Sequence, residues 1–227
     1  MRIPVTGATG FIGREAAGLL CDGDHEVHAL GRSQGEDDRI RWHDGGLLDG
    51  NDRRPLLARI GASHLLHFAW YAVPGRYWNA PENLDWVAAS LQLARAFANT
   101  GGRRLVVAGS CAEYDWSAAR LDEATTPLAP ATLYGEAKAS LHRLLDRAGP
   151  ALGLSLAWGR IFNVYGPFER PERLLGTLLR AVRAGEPARF SAGQQLRDFL
   201  HVEDVAGAFV ELLTSPIEGA VNIGSGR

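Results

Sequence analysis

Thr6-Gly7-Ala8-Thr9-Gly10-Phe11-Ile12-Gly13 is the stretch on which the fold turns. Its three glycines recur every third residue between an apolar run, Arg2–Thr6, and a helical pattern, Phe11–Cys21. A strand that ends in such a turn and passes into a helix opens a βαβ unit. Gly7 permits the tight turn, Gly10 the close approach of a pyrophosphate, and Gly13 the packing of the helix on the sheet. The N–H groups of the helix's first turn then face the phosphates. Glycine-rich turns are common; the place of this one, after an N-terminal strand and before a helix, is what gives it meaning.

Outward from that turn, short apolar runs alternate with longer helical patterns, the signature of a parallel sheet. His25–Leu30 reads as the second strand, Ile40–His43 as a weak third, and Ser63–Phe68, Arg104–Ala108 and Leu154–Phe162 as the next three. Between them, Glu82–Ala98 carries Leu84, Val87, Leu91, Ala94 and Ala98 on one stripe, with Pro81 tolerable in the opening turn. Tyr134–Ala148 does the same with Ala137, Leu141, Leu144, Leu145 and Ala148. The pattern predicts an α/β fold, a doubly wound parallel sheet over residues 1–164. Gly166-Pro167 and Pro171 break the spacing, so a smaller substrate-facing region is expected over 165–227, some of whose segments return to the first domain. Pro4 conflicts with a fully paired central strand, because it cannot donate to the ladder.

The sequence has 227 residues, 46% hydrophobic and 22% charged, which suits an ordinary globular protein. A net charge of −2, with arginines scattered among acids, excludes a general attraction to nucleic acid or to an anionic membrane. Cys21 and Cys111 stand far apart, without metal-ligand spacing or a disulfide framework. No metal site is therefore expected. The chain enters a strand almost at once, with no signal segment, and its longest apolar stretch, around Leu65–Val73, is too short to span a bilayer. These features predict a cytoplasmic protein.

Chemistry gathers at three places. At the end of the second strand a carboxylate would bond the adenosine ribose, whereas an arginine accommodates a 2′-phosphate. Leu30-Gly31-Arg32-Ser33 has no acid there, and Arg32 can pair bidentately with phosphate, which tilts the choice toward NADP over NAD. Tyr134 and Lys138 lie one helical turn apart on one face, so an ammonium can favour the phenolate of a general acid/base. Gly109-Ser110 ends the preceding strand at the ligand-binding carboxyl edge, where Ser110 could hydrogen-bond a sugar hydroxyl or keto oxygen. His67 and His201, in apolar surroundings, read as core histidines. Asp198 and Asp204 read as structural, orienting Arg197 or capping a helix that begins near Glu203. Trp70-Tyr71 and Tyr77-Trp78 could wall a sugar pocket or simply pack in the core.

Read in order, TGATGFIG, HFAW, GSCAEY, YGEAK, RIFNVYGP, LRDFLHVEDV and VNIGSG resemble the extended short-chain dehydrogenase/reductases, the NAD-dependent epimerase/dehydratases, over nearly the whole chain. That resemblance implies a Rossmann domain and hydride chemistry on a nucleotide-linked sugar. It implies a catalytic trio of Ser110, Tyr134 and Lys138, with Lys138 also holding the nicotinamide ribose. Gly7, Gly10, Phe11, Ile12 and Gly13 match the pyrophosphate turn. Phe68, Ala69 and Trp70 match the segment under the cofactor, and Asn83 a helix asparagine near it. Asn163 matches a substrate-contacting asparagine, and Arg197 an arginine that neutralises the sugar-nucleotide diphosphate.

The departures matter as much. Family members that dehydrate the hexose carry Asp-Glu directly after the Ser/Thr of the trio. Here Cys111 and Ala112 stand there, and Glu113, one place late, would point elsewhere on strand-like alternation. Gly46 replaces an adenine-contacting aspartate. The family usually continues beyond Gly224-Ser225-Gly226, so the C-terminal substrate region is expected to be incomplete or its pocket open. The resulting expectation is a 4-ketoreductase or a 4-epimerase acting at a hexose C4; a dinucleotide sensor that keeps the fold without turnover is the rival. A homodimer through Glu82–Ala98 and Tyr134–Ala148, anchored by Trp86 and Leu145, is expected as well.

Overall fold

The computed structural model describes residues 1–118, 120–188, 190 and 193–226. The glycine turn follows β1 (Arg2–Thr6) and leads into α1 (Phe11–Asp22). β2 (Glu26–Gly31), β3 (Arg41–Asp44), α2 (Arg54–Ile60), β4 (His64–His67), α3 (Glu82–Asn99), β5 (Arg104–Ser110), α4 (Leu133–Leu152) and β6 (Ser155–Ile161) follow. These strands, with β9 (Gly219–Ile223), form one parallel sheet in the order β3-β2-β1-β4-β5-β6-β9. The strand order reverses between β1 and β4, the switch point where a crevice opens at the carboxyl edge.

Both faces of the sheet are covered, as a parallel sheet requires. On one side α1 and α6 (Val202–Thr214) bury Ala16, Leu20, Val205 and Phe209 against Ile3, Val5 and Val106. On the other α2, α3 and α4 bury Leu57, Leu93, Phe97, Leu141 and Leu145 against Leu65, Leu105, Val107 and Trp158. All seven residues of β5 are buried, with Val106 in the first core and Leu105 and Val107 in the second. The conflict at Pro4 resolves locally: β4 pairs with β1 only from Val5 onward, so Pro4 lies where that ladder has not begun.

α6 and β9 are the segments of 165–227 that return to the main layers. Arg104 secures them, donating to Ser155 Oγ at 2.7 Å and to the carbonyls of Leu212 and Ile217 at 2.5 Å each. A small parallel ribbon, β7 (Asn163–Tyr165) with β8 (Phe199–His201), and α5 (Leu174–Ala184) remain outside the large sheet. Among the described residues no helix is long and apolar enough to cross a membrane.

Two expectations need correction. The buried stripe of α3 runs through Asn83, Ser90, Leu93, Ala94 and Phe97, displaced from the one the periodicity suggested, and Leu84 is 59% exposed. Leu145 belongs to the core beneath α4 at 4% exposure, and Trp86 is partly buried beside Trp70, so neither is a free anchor for a second copy. The helices instead expose Leu84 and Leu144. α4 also runs past Ala148 through Pro150, ending where Gly153 adopts φ 65° and Leu154 N–H returns to the Gly149 carbonyl.

Burial fixes the charge state of two core histidines. His67 is pulled down to about 3 and His142 to about 4, in both cases chiefly because burial penalises the imidazolium. With folded values below the unfolded one, the unfolded chain binds more protons between those limits. The stability present above about pH 6.5 should therefore drain as pH falls toward 3 and 4. His67 alone approaches about 1.4 kcal/mol per pH unit. Urea melts at pH 7 and pH 5 should show the loss; equal stability at the two would contradict neutral, buried imidazoles.

Candidate active site

The carboxyl ends of β1, β4 and β5 meet around the switch point. Gly7 adopts φ 75°, and a Cβ there would lie 2.8 Å from Ala69 N; one on Gly13 would lie 2.1 Å from the Gly7 carbonyl oxygen. Only glycine fits either position. No side chain caps α1 at Gly10 and no acid occupies its first turn. The N–H groups of Phe11, Ile12 and Gly13 are thus not spent on the chain's own side chains, and the turn fits the pyrophosphate of a dinucleotide.

The next segment is pinned from below. Thr6 Oγ1 bonds His67 Nδ1 at 2.6 Å and accepts from Ala69 N at 3.2 Å, while His67 Nε2 bonds Ser90 Oγ at 2.8 Å. His67 is therefore the satisfied core histidine expected. Phe68 packs edge-on to Phe209, and Trp70, partly buried, packs against the second core. Asn83 does not face a ligand: it is wholly buried, accepts from Trp70 Nε1 at 2.8 Å, and donates to the carbonyls of Tyr77 and Ala80. Its work is to fix Trp70 and the 3-10 turn Tyr77–Asn79.

Those aromatics surround Tyr134. The rings of Tyr77, Trp78 and Trp70 stand edge-on to it at 4.9, 5.9 and 6.4 Å. Thr132 caps α4 by accepting from Gly135 N, so Tyr134 emerges from the helix's first turn. Ser110, the last residue of β5, lies close enough to Tyr134 to hold its phenol pKa down against burial. Lys138 is 3% exposed; its Nζ donates to the Ala108 carbonyl at 2.8 Å and lies 3.7 Å over the Trp70 ring. The structure thus brings Ser110, Tyr134 and Lys138 together.

The electrostatics differ from the simple expectation of a lysine-stabilised phenolate. Burial pushes the Tyr134 phenol well above its usual range, opposed chiefly by Ser110. Lys138 Nζ lies 6.0 Å from the tyrosine ring and is turned to the Ala108 carbonyl. Burial pulls Lys138 itself down to about 7, with Glu113 acting in the opposite sense. The site therefore holds a protonated phenol beside an ammonium poised to lose its charge.

Glu113 is the residue that sequence reasoning dismissed. Residues Cys111–Glu113 form a 3-10 turn, not a strand, which swings the carboxylate inward. It accepts from Ser110 N at 2.8 Å and Trp158 Nε1 at 2.9 Å, and pairs with Arg160 Nε at 2.9 Å. The signal was present, because Ser110-Cys111-Ala112-Glu113 has the spacing of a capping box.

The outlying candidates fall into two groups. Arg32 is exposed, and a Cβ on Gly46 would meet its Cγ at 2.8 Å, so its stem lies across the glycine where an acid was missing. Asn163 donates to the Asp198 carbonyl at 3.0 Å, which joins the β7–β8 ribbon. Arg197 lies 4.9 Å over the Trp116 ring, and Trp116 Nε1 donates to the Cys111 carbonyl, so the guanidinium arrives above the turn that follows Ser110. Asp198 neither orients Arg197 nor caps a helix: its carboxylate accepts from Ser225 N and Gly226 N. His201 is the cap of α6, accepting from Glu203 N at 3.4 Å.

Residues 3–224 match the NAD dependent epimerase/dehydratase family. The chain is 28% identical, over its whole length and 85% of the relative's, to a dTDP-6-deoxy-L-talose 4-dehydrogenase (NAD(+)) of Aggregatibacter actinomycetemcomitans. It is 27% identical to a UDP-glucose 4-epimerase of Corynebacterium glutamicum, covering all of this chain and 76% of that one. Among solved structures, MoeE5 in complex with UDP-glucose and NAD superposes with a TM-score of 0.83 at 32% identity, over 100% of this chain and 77% of MoeE5.

Proposed function

The chain belongs to the NAD-dependent epimerase/dehydratase family, a family of enzymes, and on that footing we propose that it transfers hydride at C4 of a nucleotide-activated hexose, as a 4-ketoreductase or a 4-epimerase. The observation that carries this reading is the convergence of Ser110, Tyr134 and Lys138 at the carboxyl edge of β5, across the switch point from the Gly7–Gly13 turn. Both curated relatives compared above are named for chemistry at a sugar 4-position. Cys111 and Ala112 offer no carboxyl group, and Glu113 is bound inside by three donors, which argues against 4,6-dehydration.

When bound, the dinucleotide supplies the hydride donor or acceptor. The rest falls to the chain. Ser110 Oγ accepts from Ala112 N at 3.2 Å, which leaves its proton to donate toward Tyr134 or the sugar oxygen. Tyr134, kept as a phenol by burial, gives its proton to the C4 oxygen during reduction and recovers one during oxidation. Lys138 would hold the nicotinamide ribose and steady the phenolate as it forms. The Phe11, Ile12 and Gly13 N–H groups would hold the pyrophosphate, with Phe68, Ala69 and Trp70 bordering the cofactor's place. Asn163 supports the sugar side, and Arg197 meets the substrate diphosphate. Cofactor stoichiometry separates the two activities: a reductase consumes its dinucleotide, an epimerase recycles it.

Tyr134→Phe should cut turnover by about two to four orders of magnitude, while cofactor affinity stays within a few-fold. Arg197→Ala should weaken nucleotide-sugar binding about 10- to 100-fold, with cofactor binding hardly touched. Calorimetry with each ligand, alongside steady-state rates, reads both; full activity in Tyr134→Phe would sink the acid/base assignment.

The Gly31-Arg32 turn favours NADP over the NAD named for the relatives. Calorimetry should find the tighter dissociation constant for NADP, and Gly31→Asp/Arg32→Ala should reverse the order by adding a repelling carboxylate and removing a phosphate partner. Equal constants in the parent protein would refute the preference.

The exposed Leu84 of α3 and Leu144 of α4 suit a second copy of this chain, in a cytoplasmic homodimer. Light scattering at about 50 μM, where even weak association is populated, should give a dimer mass that falls in Leu84→Glu/Leu144→Glu. A monomer in the parent protein would dispose of that interface.

A further inference from the structure

Beneath the acid/base pair lies a charged group that the reaction as described does not use. We propose that Glu113 is a positioning residue of this site: from the turn after β5 it fixes the backbone of Ser110 and supplies the buried negative charge that Lys138 faces, without itself touching substrate or cofactor. The inference rests on the Ser110–Tyr134–Lys138 reading only for its bearing on turnover.

The geometry is specific. Glu113 is 0% exposed, and its Oε1 accepts from both Ser110 N and Trp158 Nε1 while Oε2 takes Arg160 Nε. Ser110 Oγ in turn accepts from Ala112 N, so the turn closes reciprocally around the residue that meets Tyr134. The chain makes room for this carboxylate: a Cβ on Gly109 would lie 2.7 Å from Glu113 Oε1 and 2.1 Å from Trp158 Nε1. Arg160 is held from its other side by Tyr114, whose OH accepts from Nη1 at 2.8 Å and donates to Asn222 Oδ1 at 2.7 Å. The carboxylate therefore cannot swing, and neither can the Ser110 backbone.

Most groups around Lys138 are neutral, and Glu113 is the charge that opposes its burial. From β4, His67 is neutral because burial holds it near 3. From the 3-10 turn, the Cys111 thiol is pushed up to about 12. On its own helix, Tyr134 is a neutral phenol, as is Tyr77, whose hydroxyl burial holds up at about 12. Ala108 and Trp70 contribute a carbonyl and a ring face. Glu113 acts on Lys138 in the sense that retains its proton, while its own carboxylate is paired with Arg160. Burial draws Lys138 down to about 7, and the Glu113 charge opposes that fall.

The chain offers an unusually clean measurement, because Lys138 is its only lysine. Labelling with lysine carrying carbon-13 at Cε gives a single resonance, whose pH titration in the cofactor-free protein reports Lys138 directly. In Glu113→Gln the midpoint should fall by about one pH unit or more. In Glu113→Asp, which keeps the charge, it should stay nearer the parent value than the Gln variant does. Should Glu113→Gln not fold, Glu113→Val/Arg160→Leu replaces the whole pair by apolar side chains, a change buried pairs often tolerate, and should show a fall in the same direction, reduced because the Arg160 charge goes with it. A midpoint unmoved in the folded Gln or double variant, or moved equally far by Asp, would overturn the proposal. Failure of the hydride reading is separate: Tyr134→Phe would then keep turnover while the lysine midpoint still moved.

Discussion

A carboxylate and a guanidinium shut away from water hold the carboxyl edge of this sheet together. Glu113 and Arg160 are each almost completely buried, a condition that costs several kcal/mol per ion unless every lone pair and proton finds a partner. Here each polar atom of the two groups has at least one partner, and the partners come from different elements: Ser110 at the end of β5, Trp158 and Arg160 on β6, Tyr114 after the 3-10 turn, His142 on α4 and, through Tyr114, Asn222 on β9. Asn222 N in turn donates to Glu123, and its amide to the Leu121 carbonyl. Three neighbouring strands and the loop above them are thereby locked in one arrangement. Removing one member of such a pair leaves an uncompensated buried charge, typically about 3–5 kcal/mol of lost stability. The sheet could have been stabilised more simply by apolar packing, so the pair's merit lies in where it fixes its neighbours.

Around that anchor the site is built to hold few charges. Thr6, His67 and Ser90 make a neutral chain of hydrogen bonds under the Phe68–Trp70 segment, and Asn83 spends its amide on Trp70 and the Tyr77–Asn79 turn. The rings of Tyr77, Trp78 and Trp70 pack around the half-buried Tyr134, and the burial that raises its pKa also lowers that of Lys138. Both groups are moved toward their neutral forms by one cause. A proton given up by Tyr134 would leave an anion next to a cation in a medium of low polarisability, where their attraction is far stronger than in water. The energetic coupling of the two residues therefore arises when the phenol ionises and is small while it is neutral.

Much of the architecture was legible because period and punctuation are written locally. The glycine turn, the apolar runs of β1, β2 and β5, and the Tyr134–Lys138 spacing each lie within a few residues of sequence, and each is found where expected within a residue or two. What escaped notice depended on long-range burial. The stripe read on α3 took in Leu84, which is exposed, whereas the core face is turned toward Leu93, Ala94 and Phe97, with Val87, Leu91 and Ala98 at its margin. The inward turn of Glu113 escaped a reading that extended strand alternation past Ser110, although the capping-box spacing was there to be seen. Which segments of 165–227 return to the sheet depends on long-range contacts: α6 buries Val205 and Phe209 in the first core, β9 pairs with β6, and Arg104 ties in the Leu212 and Ile217 carbonyls, 108 and 113 residues away in sequence.

The cation chosen for the site follows from the same physics. Of 24 lysines and arginines in the chain, Lys138 alone is a lysine, and it is also among the most buried of them. Arginine serves well wherever a permanent charge meets a carboxylate or carbonyls in fixed geometry, as Arg160 and Arg104 do. It cannot serve at residue 138. A guanidinium does not lose its proton within any working pH, so burial would impose the full desolvation cost with no neutral form to relieve it. Its planar fork also needs several acceptors, whereas the niche offers one carbonyl, Ala108, capped by the face of Trp70. A compact ammonium with a yielding pKa satisfies both constraints. A chain that has otherwise dispensed with lysine keeps the one whose charge burial can tune.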